Sequence, residues 1–566
     1  MPRPRTLACL LAAVTAVALT GTAGAAATTA NGTTVPTYVN YHPSDKPNEG
    51  LGHDAGEPSI GVNWKTGKVM YQAVQQTIQV TFDGTTPAKA TYKDVTNPAI
   101  GANTLDPMLF TDSVTGRTFV SQLTPPCSVA FYTDTDGESA LGIPGDHVSG
   151  WTPSQGCAVG ANFDHQTFSA GPAPASLPVP AYGPNRVAYY CSHVVVEATC
   201  GRSLDGGATF PQSAPLYVKN GNGAVQGCTG LHGHLRVAPD GTAYVPNFSC
   251  DVTDGKGPRA ALIVADPNPV LSWNIRTLPP GTTTPDFDSD PAVGTDGAST
   301  AYMAWETATS NLMVAVTKDR AQTFTDLTDI GKPFGLQNAT MPIVVGGSAG
   351  RAAVAFLGTP TEAPRAKDGQ PENQLKSFDG AWHLYVATTY DSGKSWTTVD
   401  ATPTDPVQRG CIWWGNVSSA RIPSGDKSCT GTPDRNLLDF IDVTVDKQGR
   451  VLVGYADGCL TTCIKDKASR MREDNLAIAR QTCGKGLFAA YDADPAGPLR
   501  ACKATAVAKP VSGVVKSPGS SGGSGVVTAR PSAPSLASTG GNGLVGVLAL
   551  GLLGLAGAGV VARRRA

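Results

Sequence analysis

Apolar and polar residues alternate along most of the chain in short runs. Each run follows a tight turn bearing glycine or asparagine. The turn pairs are Gly67-Lys68, Gly116-Arg117, Asn185-Arg186, Gly241-Thr242, Gly297-Ala298, Gly350-Arg351 and Gly449-Arg450, and runs such as KVMYQAV, RTFVSQL, RVAYYCS and RVLVGYA follow them. Period-two alternation rich in β-branched residues predicts strands. Gly or Asn at the turn supplies the positive φ that a tight hairpin needs. Successive turns stand 49, 69, 56, 56, 53 and 99 residues apart, so the chain reads as repeats of one unit of about four short strands. Units of that kind are propeller blades. The expected fold class is all-β: a single β-propeller of six to seven four-stranded blades, with seven preferred.

A second motif recurs in phase with the first. Ser203-Leu204-Asp205-Gly206-Gly207-Ala208-Thr209-Phe210 and Thr389-Tyr390-Asp391-Ser392-Gly393-Lys394-Ser395-Trp396 are its clearest copies, and Thr317 to Phe324 is a third without its glycine. Degenerate copies stand at TFDGTTPAKAT and YTDTDGESA. The motif resembles the Asp box of the bacterial-neuraminidase repeat, and the resemblance to sialidase-like propellers covers most of residues 50–495. Its Asp accepts turn N–H groups and its Gly takes a left-handed conformation, which implies a structural role. Sialidases of that family have six blades, so a count of seven departs from them.

With strands A to D named outward from the channel, the Gly-Lys/Arg turns join A to B and the Asp boxes join C to D. Both sets then lie on one face, the bottom. Lys68, Arg117, Arg186, Arg351 and Arg450 are expected there as solvated charges. The loops B–C and D–A lie on top. The gap of 99 residues holds an insertion in a D–A loop carrying Cys411, Trp413, Trp414 and Cys429. Two adjacent tryptophans suit stacking on sugar faces, or else they pack the insertion onto the propeller. Residues 358–380 form a B–C loop on the same face.

Composition adds address and partners. Lys+Arg 43 against Asp+Glu 45 gives a net charge of 43 − 45 = −2 over 566 residues, with no basic excess to bind nucleic acid. Residues 1–25 read as a signal peptide: Arg3 and Arg5, an apolar run from Leu7 to Leu19, then Ala23-Gly24-Ala25. Residues 30–505 are the folded domain, and 506–535 a Ser/Gly/Pro-rich linker. At 536–566, Leu536-Ala537-Ser538-Thr539-Gly540 precedes an apolar stretch and Arg563-Arg564-Arg565. This order resembles the LAxTG sorting signal of Gram-positive bacteria. It implies a secreted protein with a membrane-spanning precursor tail, which sortase cuts after Thr539 and joins to cell-wall peptidoglycan. Setting Cys9 aside leaves 12 of the 13 cysteines, an even number in an oxidising compartment, where disulfides are expected. Local pairing gives Cys127–Cys157, Cys191–Cys200, Cys228–Cys250 and Cys411–Cys429. The order among Cys459, Cys463, Cys483 and Cys502 stays open. No CxxC and no Cys/His spacing points to a zinc site.

The sialidase resemblance implies an arginine triad for a substrate carboxylate, a Tyr–Glu nucleophile and an Asp acid. The Phe-Arg-Ile-Pro segment is absent near the first blade, and Arg421-Ile422-Pro423 lies in the late insertion. Arg236 and Arg435 remain as top-face, substrate-binding candidates. A polar segment stands at the start of nearly every A strand: HDAGEP, NTLDP, NFDHQ, LHGH, DFDSDP and NLLDFID. Glu57, Asp106, His165, His234, Asp290 and Asp439 are therefore expected to converge near the axis as catalytic candidates. Converging carboxylates push one another's pKa apart, as acid/base work requires. Oxygen ligands could instead hold Ca²⁺, and Asp-Pro is also a plain turn before a strand. Four of the 8 histidines, His53, His165, His232 and His234, fall in these segments. The functional expectation is a propeller acting on or binding extracellular glycans, with glycoside hydrolysis as the enzymatic reading. A polysaccharide lyase and a non-catalytic module binding glycan or a surface protein are the alternatives.

Overall fold

The computed structural model describes most of residues 35–492. Outside the described residues lie 1–34, 493–566 and, between them, chiefly 44–50, 100–104, 124–127, 156–163, 219–226, 283–289, 363–377 and 413–435. Seven antiparallel sheets follow one another along the chain. Blade 1 holds strands Ser59–Val62, Val69–Ala73, Gln76–Phe82 and Ala90–Asp94. Blades 2 to 7 begin at Leu105, Asp164, Gly227, Ala292, Asn338 and Asp442. The first strands of successive blades touch in order, and that of blade 7 touches that of blade 1. The ring is thus a closed seven-bladed propeller with the A strands on its axis.

Burial explains the strand pattern. Second strands such as Ala352–Thr359 and Val451–Asp457 are buried along their whole length, between neighbouring blades. The outermost Ala90–Asp94 is mostly exposed. Closure comes from the opposite end of the chain: Thr37–Tyr41 pairs antiparallel with Asn475–Cys483 as the fourth strand of blade 7. The sequence pattern had not indicated this pairing.

The seven Gly/Asn turns all join first to second strands, and the Asp-bearing turns join third to fourth strands. Three of the latter share one set of bonds. Asp205, Asp319 and Asp391 each accept from the backbone N–H of Thr209, Thr323 and Ser395 at 2.9 Å, and from the hydroxyl of the same residue.

Four of the five basic residues after the first-to-second turns depart from expectation, since they reach a neighbouring blade rather than water alone, and the fifth, Arg450, pairs within its own turn. Arg186 of blade 3 donates from Nε to Asp112 Oδ2 of blade 2 at 2.6 Å, and both are buried. Arg351 of blade 6 donates to Asp492 and to Gly486 O at the edge of blade 7. Arg117 pairs with Asp134, donates to Gly206 O of blade 3, and stacks on Tyr132. Lys68 lies 3.5 Å from Glu138 of blade 2, and Arg450 bonds Asp446 in its own turn. The turns place most of these long side chains over an adjacent blade's carboxylates and carbonyls, where pairing replaces much of their hydration.

Disulfides Cys191–Cys200, Cys228–Cys250 and Cys459–Cys463 are formed. The first two match the local pairing expected, and the third resolves part of the open set. Cys411 and Cys483 are also disulfide-bonded. Cys127, Cys157, Cys429 and Cys502 lie outside the described residues, as do the signal peptide, linker and sorting segment. Among the described residues no helix is long and apolar enough to cross a membrane.

Candidate functional site at the channel axis

A repeated backbone device aims side chains into the mouth of the channel. In blades 2, 3 and 6, and in blade 4 between Thr229 and His232, the first strand carries one extra residue. Pairing steps from Leu105↔Leu123 to Met108↔Ser121, from Asp164↔His193 to Thr167↔Cys191, and from Thr340↔Leu357 to Ile343↔Ala355. Bulges of this kind re-aim a side chain. The bulged residues Asp106, His165 and Met341 have φ of 45°, 45° and 53°, and Glu57, just before the first strand of blade 1, has 54°. Positive φ at a non-glycine residue costs on the order of 1 kcal/mol. Met341 shows that the bulge itself belongs to the fold. The chemistry lies in what blades 1 to 3 display there.

Asp106, Asp164 and His165 each bring a ligand atom within 4.8 Å of the others. The two carboxyl groups hydrogen-bond one another. Gln166 Nε2 donates to Asp106 O, tying blade 3 to blade 2. His165 Nδ1 lies 3.3 Å from Asp290 Oδ2, which draws in blade 5. His193 faces Asp164 across the strand pair. Its ring is 6.2 Å from that of His232, which is 6.5 Å from that of His165. His232 Nδ1 bonds Gly233 O at 3.1 Å. His234 packs edge-on against Phe440 of blade 7.

Burial and mutual charge set the protonation of this chamber. Burial, then Glu57, Asp164 and Asp439, push the Asp106 carboxyl well above its usual range. Asp164 is equally buried, yet the hydrogen bond from Asp106 and the imidazoles of His165 and His193 hold it below the usual range. Burial works against a charged His165, but Asp290, Asp164 and Asp439 outweigh it and raise its pKa to about 10. Burial and neighbouring imidazoles lower His193 to about 4 and His232 to about 3. Burial and Arg236 drive His234 well below its ordinary value, and burial raises Asp290. The chamber thus combines a cationic imidazole, neutral imidazoles and carboxyl groups from several blades.

All six expected residues, Glu57, Asp106, His165, His234, Asp290 and Asp439, come together around the axis. Arg236 does not point to open solvent. Its guanidinium bonds Asp442 and Leu235 O. Arg435, Trp413 and Trp414 lie outside the described residues. His193 was not anticipated, and Asp164, His232 and Asp442 only as part of their segments. Asp164 adjoins His165 in NFDHQ and could have been found there. His193 ends a second strand and joins the site only through its pairing.

Two other features lie elsewhere. His42, Asp405 and Asp457 cluster where the N-terminal strand leaves blade 7. A cavity of about 880 Å³ opens between blades 7 and 1, lined by Trp64, Phe82, Asp446, Arg450 and Arg480. It sits among bottom-face turns, away from the acidic chamber.

No family model and no curated protein matches the chain. Among solved structures, a protein of unknown function from Dyadobacter fermentans is similar at a TM-score of 0.35 and 12% identity, covering 79% of this chain and 99% of its own. An α-L-arabinanase from Penicillium chrysogenum has a TM-score of 0.34 at 13% identity over 67% of this chain and 92% of its own. The six-bladed fucose-binding lectin of Aleuria aurantia has 0.32 at 12% over 61% and 94%. Likenesses of this strength carry nothing about ligand or activity. The propeller rests on the strand pairing itself.

Proposed function

We propose that this chain is an exported, wall-anchored, sialidase-like propeller that hydrolyses extracellular glycans at the axial mouth. The observation that carries the reading is geometric. Carboxyl groups on separate blades gather around His165: Asp106 and Asp164 group with it, Asp290 pairs with it, and Glu57 acts on Asp106 from blade 1. Glycoside hydrolysis needs one carboxyl group as acid and another as nucleophile or base. Asp106 and Asp164, being hydrogen-bonded, act as one unit, and Glu57 is the partner from blade 1. The Asp-bearing turns support kinship with sialidase-like propellers, while the missing Phe-Arg-Ile-Pro segment argues against a substrate bound by an arginine triad. Trp413, Trp414 and Arg435 are proposed to bind the glycan, and Thr539 to join the wall.

The test is a panel of aryl-glycosides, sialyl substrates and microbial and plant polysaccharides, with Asp106→Asn and Glu57→Gln variants of normal thermal stability. Expected is turnover of one glycan class that falls about 100-fold or more in either variant. Binding without turnover in the unaltered chain would make the protein a glycan-binding module instead.

A further inference from the structure

The axial chamber contains donors that the glycan reading leaves unused. His193 Nδ1 and His232 Nε2 are buried and have no hydrogen-bond partner, whereas Asp290 Oδ2 is paired with His165 Nδ1 at 3.3 Å. The two histidines are 4% and 1% exposed, so water does not satisfy them. A buried polar atom without a partner costs about 1–3 kcal/mol, and two imidazole nitrogens left so in one chamber call for an occupant. The tautomer of His232 is fixed by its surroundings. Gly233 O can only accept, so Nδ1 carries the hydrogen and Nε2 presents a bare lone pair. A backbone carbonyl behind the ring is the usual support for a metal-ligating histidine.

We propose that this chamber binds one divalent transition-metal ion, with Asp164, His193 and His232 as its principal ligands and with His165 and Asp106 beside them. Asp106, Asp164 and His165 already bring donor atoms within 4.8 Å of one another. His193 stands opposite Asp164 in the strand ladder, so carboxylate and imidazole project from neighbouring positions. The His193 and His232 rings, 6.2 Å apart, are about 1 Å wider than two imidazoles on a tetrahedral ion with metal–nitrogen bonds of about 2.1 Å, so binding requires them to close by about that much. Nitrogen donors decide the class. Imidazole with carboxylate suits Zn²⁺ and its neighbours, whereas Ca²⁺ takes oxygen ligands. The surrounding carboxyl groups, Asp106, Asp164, Asp290, Asp439 and Glu57, outnumber the one cationic imidazole, His165, and favour a cation over an anion. The site joins blades 3 and 4, so the ion would also brace that seam. This inference does not depend on the substrate being a glycan.

The experiment uses the full exported chain, purified without chelator and analysed for metal by mass spectrometry. The chelator-stripped protein is then titrated with Co²⁺ and Zn²⁺. Expected are about one equivalent of retained metal, visible Co²⁺ absorption bands, and a higher melting temperature with Zn²⁺. His193→Gln and His232→Gln should each weaken Co²⁺ binding at least 10-fold, while far-ultraviolet circular dichroism stays unchanged. A second variant pair, His42→Gln and Asp405→Asn, should leave Co²⁺ binding intact. The proposal is overturned if the folded chain retains no metal and shows no Co²⁺ or Zn²⁺ response. It is equally overturned if only Ca²⁺ binds, or if both axial variants bind Co²⁺ like the unaltered chain. Metal bound without glycan turnover leaves this inference standing and removes the hydrolase; turnover by a folded chain that retains no metal and does not respond to Co²⁺ or Zn²⁺ does the reverse.

Discussion

Arg236, on the short strand Arg236–Val237 that follows the first strand of blade 4, crosses the channel and donates from Nη2 to Asp442 Oδ1, on the first strand of blade 7, at 3.2 Å. Asp442 also accepts from the Ile60 N–H of blade 1 at 3.0 Å. One carboxylate therefore ties three blades, and the channel is bridged rather than open. Removing one member of a buried pair leaves an uncompensated charge. Asp442→Ala is expected to cost about 3–5 kcal/mol. Combining Arg236→Met with Asp442→Leu should recover much of that loss. Chemical denaturation measures both, and a single-variant cost under about 1 kcal/mol would contradict the bridge.

The same aspartate gives a pH signature. Burial outweighs Arg236 and raises Asp442 to about 6, above the ordinary carboxyl value. The folded chain then binds this proton more tightly than the unfolded one. The contribution to stability is full below about pH 4 and is lost as the pH rises through about 6. The stability of the unaltered chain, compared with Asp442→Asn, should decline by on the order of 2 kcal/mol between pH 4 and 6.5. A difference that stays flat over that range would show that Asp442 does not titrate there.

Seams between blades should differ sharply in strength. Asp112 and Arg186 are both buried, and Tyr182 Oη also donates to Asp112 at 2.8 Å. Asp112→Ala is expected to lower stability by about 3 kcal/mol or more. The Arg320–Asp240 pair joins blades 5 and 4 with Arg320 at 44% exposure. Asp240→Ala should cost under about 1 kcal/mol. Comparable losses at the two seams would be evidence against this division.

Ring closure depends on the strand Thr37–Tyr41. Deleting it exposes the edge of Asn475–Cys483 and removes Tyr38 from the core it packs against. The shortened chain should melt several degrees lower and less cooperatively, since an unpaired edge is a liability. A synthetic peptide of that strand added in trans should restore part of the loss. Unchanged melting after deletion would mean that closure rests on the other contacts between blades 7 and 1.

Gly233 tests how closely the blades meet at the site. A Cβ at this position would fall 1.8 Å from Pro291 O of blade 5. Gly233→Ala should therefore destabilise by more than about 2 kcal/mol and disturb His232 and His234 on either side of it. Normal melting would show that the backbone can yield there.

The blades were legible in the sequence because their cause is local. A turn glycine, an alternating run and an Asp-bearing turn each act within a few residues, and repetition multiplied the signal. The local disulfides Cys191–Cys200 and Cys228–Cys250 were legible for the same reason. The ring of residues before the first strands could be listed, since every copy places its polar segment at the same point of the unit. The chemistry of that ring could not. His193 reaches the axis from a second strand through its pairing with Asp164, and Arg236 meets Asp442, 206 residues away, only once the ring has closed. The destination of the turn arginines was hidden likewise, because a solvated charge and a buried interblade pair look the same in one repeat. Local sequence determined the units and their faces. The tertiary structure alone decided which charges are buried together, because burial at the axis and at the seams is a property of neighbouring blades and not of any one of them.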